Sequence, residues 1–258
     1  MKSLTIVKIG GNIIDREVAL DSFLEDFVRI DNPKVLIHGG GVMASEISAK
    51  LEIETTMVDG RRITDFDTLK VVSMVYAGWI NKSTVAKLQK LGCNSVGLSG
   101  ADGDSIPAVR RSPVPVDFGY VGDVNPDEID RDFITNLLNR GVTPVFCAIT
   151  HDSNGSLLNT NADTLAASLA VALSRDYHTN LVYCFEKQGV LLNPDDDESV
   201  IPLIDRTMYE DLKSNGAIRG GMIPKIDNAF YAIGNGVAEV AIKHASNLNN
   251  DKGSILRE

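Results

Sequence analysis

The sequence predicts an α/β protein in which an open, mainly parallel β-sheet is covered by helices on both faces. Three observations carry this expectation. Short β-rich apolar runs alternate with helix-periodic stretches almost throughout the chain, a pattern that implies right-handed crossovers between parallel strands. The first two runs stop at glycine clusters, Gly10-Gly11 and Gly39-Gly40-Gly41. The 258 residues are 43% hydrophobic and 23% charged, a globular composition able to bury a large core. There is no internal repeat or low-complexity linker, so two lobes, 1–175 and 176–258, are expected to share one sheet across a soft boundary.

The elements follow in order. Leu4 to Ile9 reads as a strand. Residues 17–30 place Val18, Leu20, Phe23, Leu24, Phe27 and Val28 on one helical stripe. Val35 to Ile37 is a buried strand, followed after the three glycines by a helix over about 42–51. Thr64-Asp65-Phe66-Asp67 has the form of a helix start, opening a long helix to about Leu91 that bends at Gly78. Asn94 to Leu98 is a strand, and the proline- and glycine-rich stretch 105–124 reads as a hairpin. Asn125-Pro126-Asp127-Glu128 predicts a helix reaching Arg140: a cap, proline at the first helical position, then two acids at the positive end. The strand Val142 to Ile149, a turn at Asn154-Gly155, a helix from Ala162 to Ser174 and the strand Leu181 to Phe185 come next. Helices over about 206–214 and 222–234 and a last strand from Val237 to Ile242 complete the pattern.

Charge narrows the partners. With 25 Lys+Arg against 35 Asp+Glu the net charge is -10, which argues against nucleic acid or an anionic membrane surface. An anionic ligand would have to be held by a local cluster of cations. No apolar run approaches the roughly 20 residues needed to span a bilayer, and the start MKSLTIVKIGG lacks the apolar region of a signal peptide. A cytoplasmic protein is expected. Cys93, Cys147 and Cys184 form no CxxC pair and read as small core residues of a reducing compartment.

Ligands of open α/β sheets bind beyond the carboxyl ends of the strands, where four features should gather. Lys8-Ile9-Gly10-Gly11 puts a cation before two glycines, which suits close approach to an anion, though a tight turn beside a solvated lysine also fits. His38-Gly39-Gly40-Gly41 suits either an anion cradle at a helix N-terminus or the oxyanion loop of a hydrolase. No GxSxG elbow is present, which removes the second; His38 reads as a hydrogen-bonded strand-end residue. Asn159-Thr160-Asn161-Ala162-Asp163 enters a helix, and could be a cap alone. Arg219-Gly220-Gly221-Met222-Ile223-Pro224-Lys225 offers free N–H groups with a lysine one turn inside, or simply ends the preceding helix. The P-loop, GxGxxG, HExxH and EF-hand patterns are absent. Asp195-Asp196-Asp197-Glu198 reads as a solvated loop and Arg110-Arg111 as surface charge. Glycine cradles with two separated lysines and one acid suit phosphoryl transfer, in which positioning and charge neutralisation do most of the catalysis.

In this order, KIGG, IHGGG, GRRIT, WINK, VGLSGADG, FGYVGDV, LNTNAD, GGMIPK and GSIL resemble the amino acid kinase family nearly end to end. Within it they resemble the branch that phosphorylates the γ-carboxylate of N-acetyl-L-glutamate in arginine biosynthesis. The resemblance implies an eight-stranded αβα sandwich, with an acyl-amino-acid half, an ATP half, and Mg²⁺ carried with ATP rather than by a dedicated metal site. It assigns Lys8 and Lys225 to the transferring phosphoryl group and Asp163 to their orientation. It places Gly39, Gly40, Gly41, Arg62, Asn159 and Asn161 on the substrate side. Gly10, Gly11, Glu186, Gly189, Gly220, Gly221 and Met222 join the two lysines around phosphate and ATP. There are departures from the family pattern: Phe185-Glu186-Lys187-Gln188 on the nucleotide side, Arg61 before Arg62, Ala101, and Cys147-Ala148-Ile149-Thr150 near the acyl group. Arg61 raises N-succinyl-L-glutamate as an alternative substrate. Strand alternation would point Arg61 and Arg62 to opposite faces unless the Gly60 turn breaks the pleat. A catalytically silent nucleotide or amino acid sensor of the same fold is the alternative of another class. The early first strand leaves no room for the N-terminal helix that interlaces arginine-inhibited hexamers of the family, so a homodimer built across the 65–91 helix, without arginine feedback, is expected.

Overall fold

A computed structural model of the protein describes residues 1–58 and 61–258; the Gly60 turn lies outside the described residues. The chain runs β1 (Ser3–Ile9), α1 (Gly11–Ile14), α2 (Glu17–Val28), β2 (Lys34–His38), α3 (Gly41–Lys50), β3 (Met57–Val58), β4 (Arg61–Arg62) and α4 (Phe66–Ser73). It continues through α5 (Asn81–Lys90), β5 (Ser95–Leu98), β6 (Val109–Arg110), β7 (Gly122–Asp123), α6 (Arg131–Asn139), β8 (Thr143–Cys147), β9 (Ile149–His151), β10 (Leu157–Asn159) and α7 (Ala162–Leu173). β11 (His178–Phe185), β12 (Leu203–Ile204), α8 (Arg206–Ser214), α9 (Met222–Gly234), β13 (Glu239–His244) and β14 (Ser254–Leu256) complete it.

Eight strands form one sheet in the order β12-β14-β13-β11-β1-β2-β8-β5. Every neighbouring pair is parallel except β13 with β14, which matches the open, mainly parallel sheet expected. β1 is central, with Lys8 beside Tyr183 of β11 and Ile37 of β2. The chain winds to one side of β1 through β2 and returns on the other as β11, so the cleft over β1 is the place where connections diverge and a ligand can enter. All of β2 is buried and α7 is apolar around most of its circumference, as befits elements covered on both sides.

Several elements differ from the sequence reading. In α2, Leu20, Phe23, Leu24 and Phe27 are buried but Val18 is exposed, because two positions before Leu20 lies on the far side of the helix. The helix after residue 64 is capped by Asp65, which accepts from the Thr68 N–H at 2.7 Å, while Thr64 is buried. Around Gly78, where a bend was expected, a π-helical turn, Met74–Ile80, joins α4 to α5. Asn125 caps only a 3₁₀ turn, Pro126–Glu128. Ile129 then turns into the core with ψ 128°, and Asp130 caps α6 anew through the Phe133 N–H. The single strand expected over 142–149 is two, because the chain leaves the sheet after Cys147 and pairs β9 with β10 across the Asn154-Gly155 turn. β12 and β14 have no counterpart in the sequence pattern; they are short strands at the sheet edge.

Candidate active site

The carboxyl ends of β1, β2, β8 and β11 open on one side of the sheet, and the chemistry gathers there. α7 starts at this end with Asp163 in its first turn, while α9 packs against α7 and carries Lys225 one turn inside. Lys8 Nζ lies 2.6 Å from Asp163 Oδ1, an ion-pair contact, and Lys225 Nζ donates a hydrogen bond to Oδ2 at 2.7 Å. All three side chains are largely buried, with exposures of 12%, 11% and 19% for Lys8, Lys225 and Asp163. Burial alone would raise the Asp163 pKa, but the two ammoniums outweigh it and hold the carboxyl well below its ordinary range. Lys225 is pushed down by burial and by Lys8, against the pull of Asp163. The Tyr183 and Phe185 rings stand 5.1 and 5.7 Å from its ammonium. Tyr183 donates its hydroxyl to the Asp163 carbonyl at 3.0 Å, tying the first turn of α7 to β11.

Beside these three residues lies a cavity of about 210 Å³ lined by Lys8, Gly11, Gly39, Gly40, Gly41, Arg62, Asn159, Asn161 and Asp163. The sequence-predicted lysine, its acid and the predicted substrate-side residues thus meet around one space. Arg62 is buried; its Nη2 donates to the Gly41 carbonyl at 3.0 Å and to Ser45 Oγ at 2.8 Å. Its Nη1 is buried as well and has no hydrogen-bond partner among the described residues. Thr64 donates to the Arg62 carbonyl and accepts from Asn159 Nδ2, both at 3.0 Å, fixing the two against each other. Asn161 uses its amide oxygen as the cap of α7, accepting from the Asp163 and Thr164 N–H groups at 2.9 and 3.0 Å.

The glycines divide by role. Gly10 donates its N–H to the Cys184 carbonyl at 2.8 Å, so the expectation of a phosphate donor there gives way to Gly11, which lines the cavity at the start of α1. Gly40 has φ 152°, and a Cβ there would stand 2.2 Å from Ile80 Cδ1 and 3.0 Å from Tyr76 Cδ1. Only glycine lets the strand end turn into α3 under the π-helical turn. His38 donates Nδ1–H to the Gly39 carbonyl and accepts at Nε2 from Asn81, a tautomer that the network assigns. Burial brings its pKa down to about 4, so it is a neutral strut, as the sequence suggested.

A further cavity, about 330 Å³, is lined by Phe185, Glu186, Gly189, Ile218, Gly221 and Met222 among others. Gly220, with φ 61°, turns the chain into α9. A Cβ at Gly189 would stand 2.8 Å from Ser254 Oγ, which accepts from the Val190 N–H at 2.9 Å. Glu186 is exposed and helps keep Lys225 charged. Among the described residues no three His, Cys, Asp or Glu side chains group closely enough to hold a metal ion.

Sequence reasoning missed three residues of the site and misread one. Thr64, which the sequence pattern puts at a helix start, instead bridges Arg62 and Asn159. Tyr76 lines the cavity beside Lys8 and Asp163 from the π-helical turn, and its signal is a hydroxyl on an otherwise apolar stripe. Thr160 lines the cavity too, bonded to Thr150 at 2.8 Å. Arg111 is the correction: instead of facing bulk water it lines the cavity together with Arg61 and Arg62.

An open parallel sheet whose central strand presents a lysine, glycine donors and a buried ion-pair network to a polar cleft defines an αβα protein suited to phosphoryl chemistry. The chain belongs to the Amino acid kinase family, whose profile matches residues 3–244. Acetylglutamate kinase from Bacteroides thetaiotaomicron is 49% identical over 257 residues, covering 100% of this chain and 99% of that protein. Acetylglutamate kinase from Cytophaga hutchinsonii is 53% identical over 250 residues, covering 96% and 94%. Giardia carbamate kinase has the same fold, with a TM-score of 0.69 over 100% of this chain and 99% of that one at 16% identity.

Proposed function

We propose that the protein transfers the γ-phosphoryl group of ATP to the γ-carboxylate of an N-acyl-L-glutamate, giving the N-acyl-L-glutamyl 5-phosphate. N-acetyl-L-glutamate is the substrate named by its relatives, and the step belongs to arginine biosynthesis. The observation that carries this reading is the sharing of Asp163 by Lys8 and Lys225, at 2.6 and 2.7 Å, beside a cavity that Arg62 and Asn159 line. A side-chain carboxylate with a pKa of about 4.3 is ionised at neutral pH, so the nucleophile needs no general base. The obstacle is its repulsion from the triphosphate. Lys8 and Lys225 offset the charge on the transferring group, most strongly as it develops in the transition state. Asp163 holds both ammoniums in place and is a positioning residue. Gly11 and the Gly39–Gly41 run supply N–H donors, Arg62 and Asn159 hold the α-carboxylate and acylamino group, and Asn161 orients the start of α7.

Glu186, Gly189, Gly220, Gly221 and Met222 would hold the nucleotide, with Mg²⁺ carried on its phosphates. Residues 1–175 would form the acyl-substrate and dimerisation lobe and 176–258 the ATP lobe; the two cavities divide along that line, one lined by residues 8–163 and the other by 185–222. A cytoplasmic homodimer is the proposed assembly. Phe66, Met74 and Trp79 leave more than half of their surface exposed along the α4–α5 segment, an apolar stripe suited to a second copy. Incubation with ATP, Mg²⁺ and hydroxylamine tests the activity. Hydroxamate should form with N-acylated glutamate and not with free glutamate or aspartate. Nucleotide binding without hydroxamate from any acylglutamate would instead mark a silent sensor.

A further inference from the structure

We propose that Arg61, with Arg111 beside it, forms a second carboxylate subsite at the acyl end of the cavity. The preferred substrate is then an N-acyl-L-glutamate whose acyl group itself ends in a carboxylate, succinyl being the simplest case that spans a short cavity. The inference rests on the proposed function and names the substrate class of that same site.

Arg61 and Arg62 are adjacent on the two-residue strand β4, opposite Val58 and Met57. Regular alternation would send them to opposite faces, yet both line the one cavity. Arg111, from the β6–β7 hairpin, lines it as well. Three arginines therefore converge on a space of about 210 Å³ in a chain of net charge -10, where chance placement would favour acids. Their surroundings differ. Arg111 is paired with Asp123, its Nε lying 3.0 Å from Oδ2 and 3.1 Å from Oδ1, so that acid is already engaged. Arg61 makes no hydrogen bond or ion pair with a described side chain. Burial and the neighbouring Arg111 both work against its charge, and Asp123 opposes them.

An N-acylglutamate with a plain alkanoyl group carries two carboxylates. The γ-carboxylate goes to Lys8 and the glycine donors, and the α-carboxylate to Arg62 and Asn159. That leaves Arg61 facing a methyl or methylene group, a partly desolvated cation that no charge of the substrate answers. A terminal carboxylate on the acyl group would meet the planar fork of Arg61 in a charge-assisted pair. Val121 and Ala148 line the same cavity and suit the methylenes that precede it.

The test compares kcat/KM for N-succinyl-, N-butyryl- and N-acetyl-L-glutamate by ADP release, in the full-length protein and in Arg61→Gln. Butyryl has the length of succinyl without its carboxylate. Succinyl should exceed both others by at least about tenfold, equivalent to about 1.4 kcal/mol, and Arg61→Gln should remove most of that advantage. A smaller advantage in the unaltered protein, or one that survives Arg61→Gln, overturns the proposal. If none of the three is phosphorylated, the proposed function fails. Calorimetric titration with the same three compounds then decides the subsite by itself: tighter binding of succinyl lost in Arg61→Gln supports it, and equal binding overturns it.

Discussion

Asp163→Asn isolates the charge that holds the site together, because it keeps the shape of the side chain and removes its negative charge from between two buried ammoniums. The three side chains are less than a fifth exposed, so water screens them little. Removing one partner of a buried ion pair costs ~3–5 kcal/mol. The amide oxygen can still accept from one lysine, which places the expected loss near ~3 kcal/mol. With a urea slope of about 3 kcal/mol per molar, the unfolding midpoint should fall by roughly 1 M.

The pH dependence has a definite sign. Asp163 titrates below its unfolded value of about 3.9, so its contribution is full above that value and is lost as pH falls through the lower folded pKa. The gap between wild type and variant should hold from neutral pH to about pH 5 and shrink below about pH 4. Raising the pH should also narrow it, because Lys225, already depressed, loses in the variant the carboxylate that opposes its deprotonation. Urea unfolding followed by circular dichroism across a pH series measures both. A gap below about 1 kcal/mol at neutral pH, or one unchanged between neutral pH and pH 3, would refute the reasoning.

Further predictions concern catalysis, packing, reactivity and assembly. Lys8→Ala or Lys225→Ala should lower kcat by roughly 10²–10³ in a folded protein, since each cation acts on charge that shifts in the transition state; near-normal kcat in steady-state assays would contradict this. Gly40→Ala should lower stability in thermal unfolding by at least ~2 kcal/mol, as the added methyl meets Ile80 and Tyr76 on a backbone that disfavours it. Burial pushes the Cys147 and Cys184 thiols up to about 12, so iodoacetamide at mildly alkaline pH should label the native protein at Cys93 alone, read by peptide mass. Trp79→Glu should halve the mass seen by light scattering if the α4–α5 stripe is the dimer face.

Much of this architecture is legible from periodicity. The buried strands Leu4 to Ile9 and Val35 to Ile37, and the helices that became α7, α8 and α9, were placed within a few residues because each has a strong apolar pattern bounded by caps or glycines. The lysines and Asp163 stood out because glycine clusters and a cap marked strand ends, and a parallel sheet brings such ends together. What eluded the reading depended on tertiary context. Ile129 breaks a helix because the core accepts it, β14 exists only beside β13, and Asp65 rather than Thr64 caps α4 because Thr64 is bonded to Asn159. Arg111 looked like surface charge since nothing local to a hairpin tells which arginine will fold over a cavity.

The central claim, phosphoryl transfer to a carboxylate rather than to water, is tested most directly by following oxygen. N-acyl-L-glutamate with both γ-carboxylate oxygens replaced by the heavy isotope is incubated with ATP and Mg²⁺, and the product is cleaved with hydroxylamine, which attacks the acyl carbon. The carboxylate oxygen that displaced ADP then leaves with the phosphate. Mass spectrometry should find each released phosphate carrying a single heavy oxygen. Unlabelled phosphate, released at the same rate with or without the acyl substrate, would show that water is the acceptor and contradict the account.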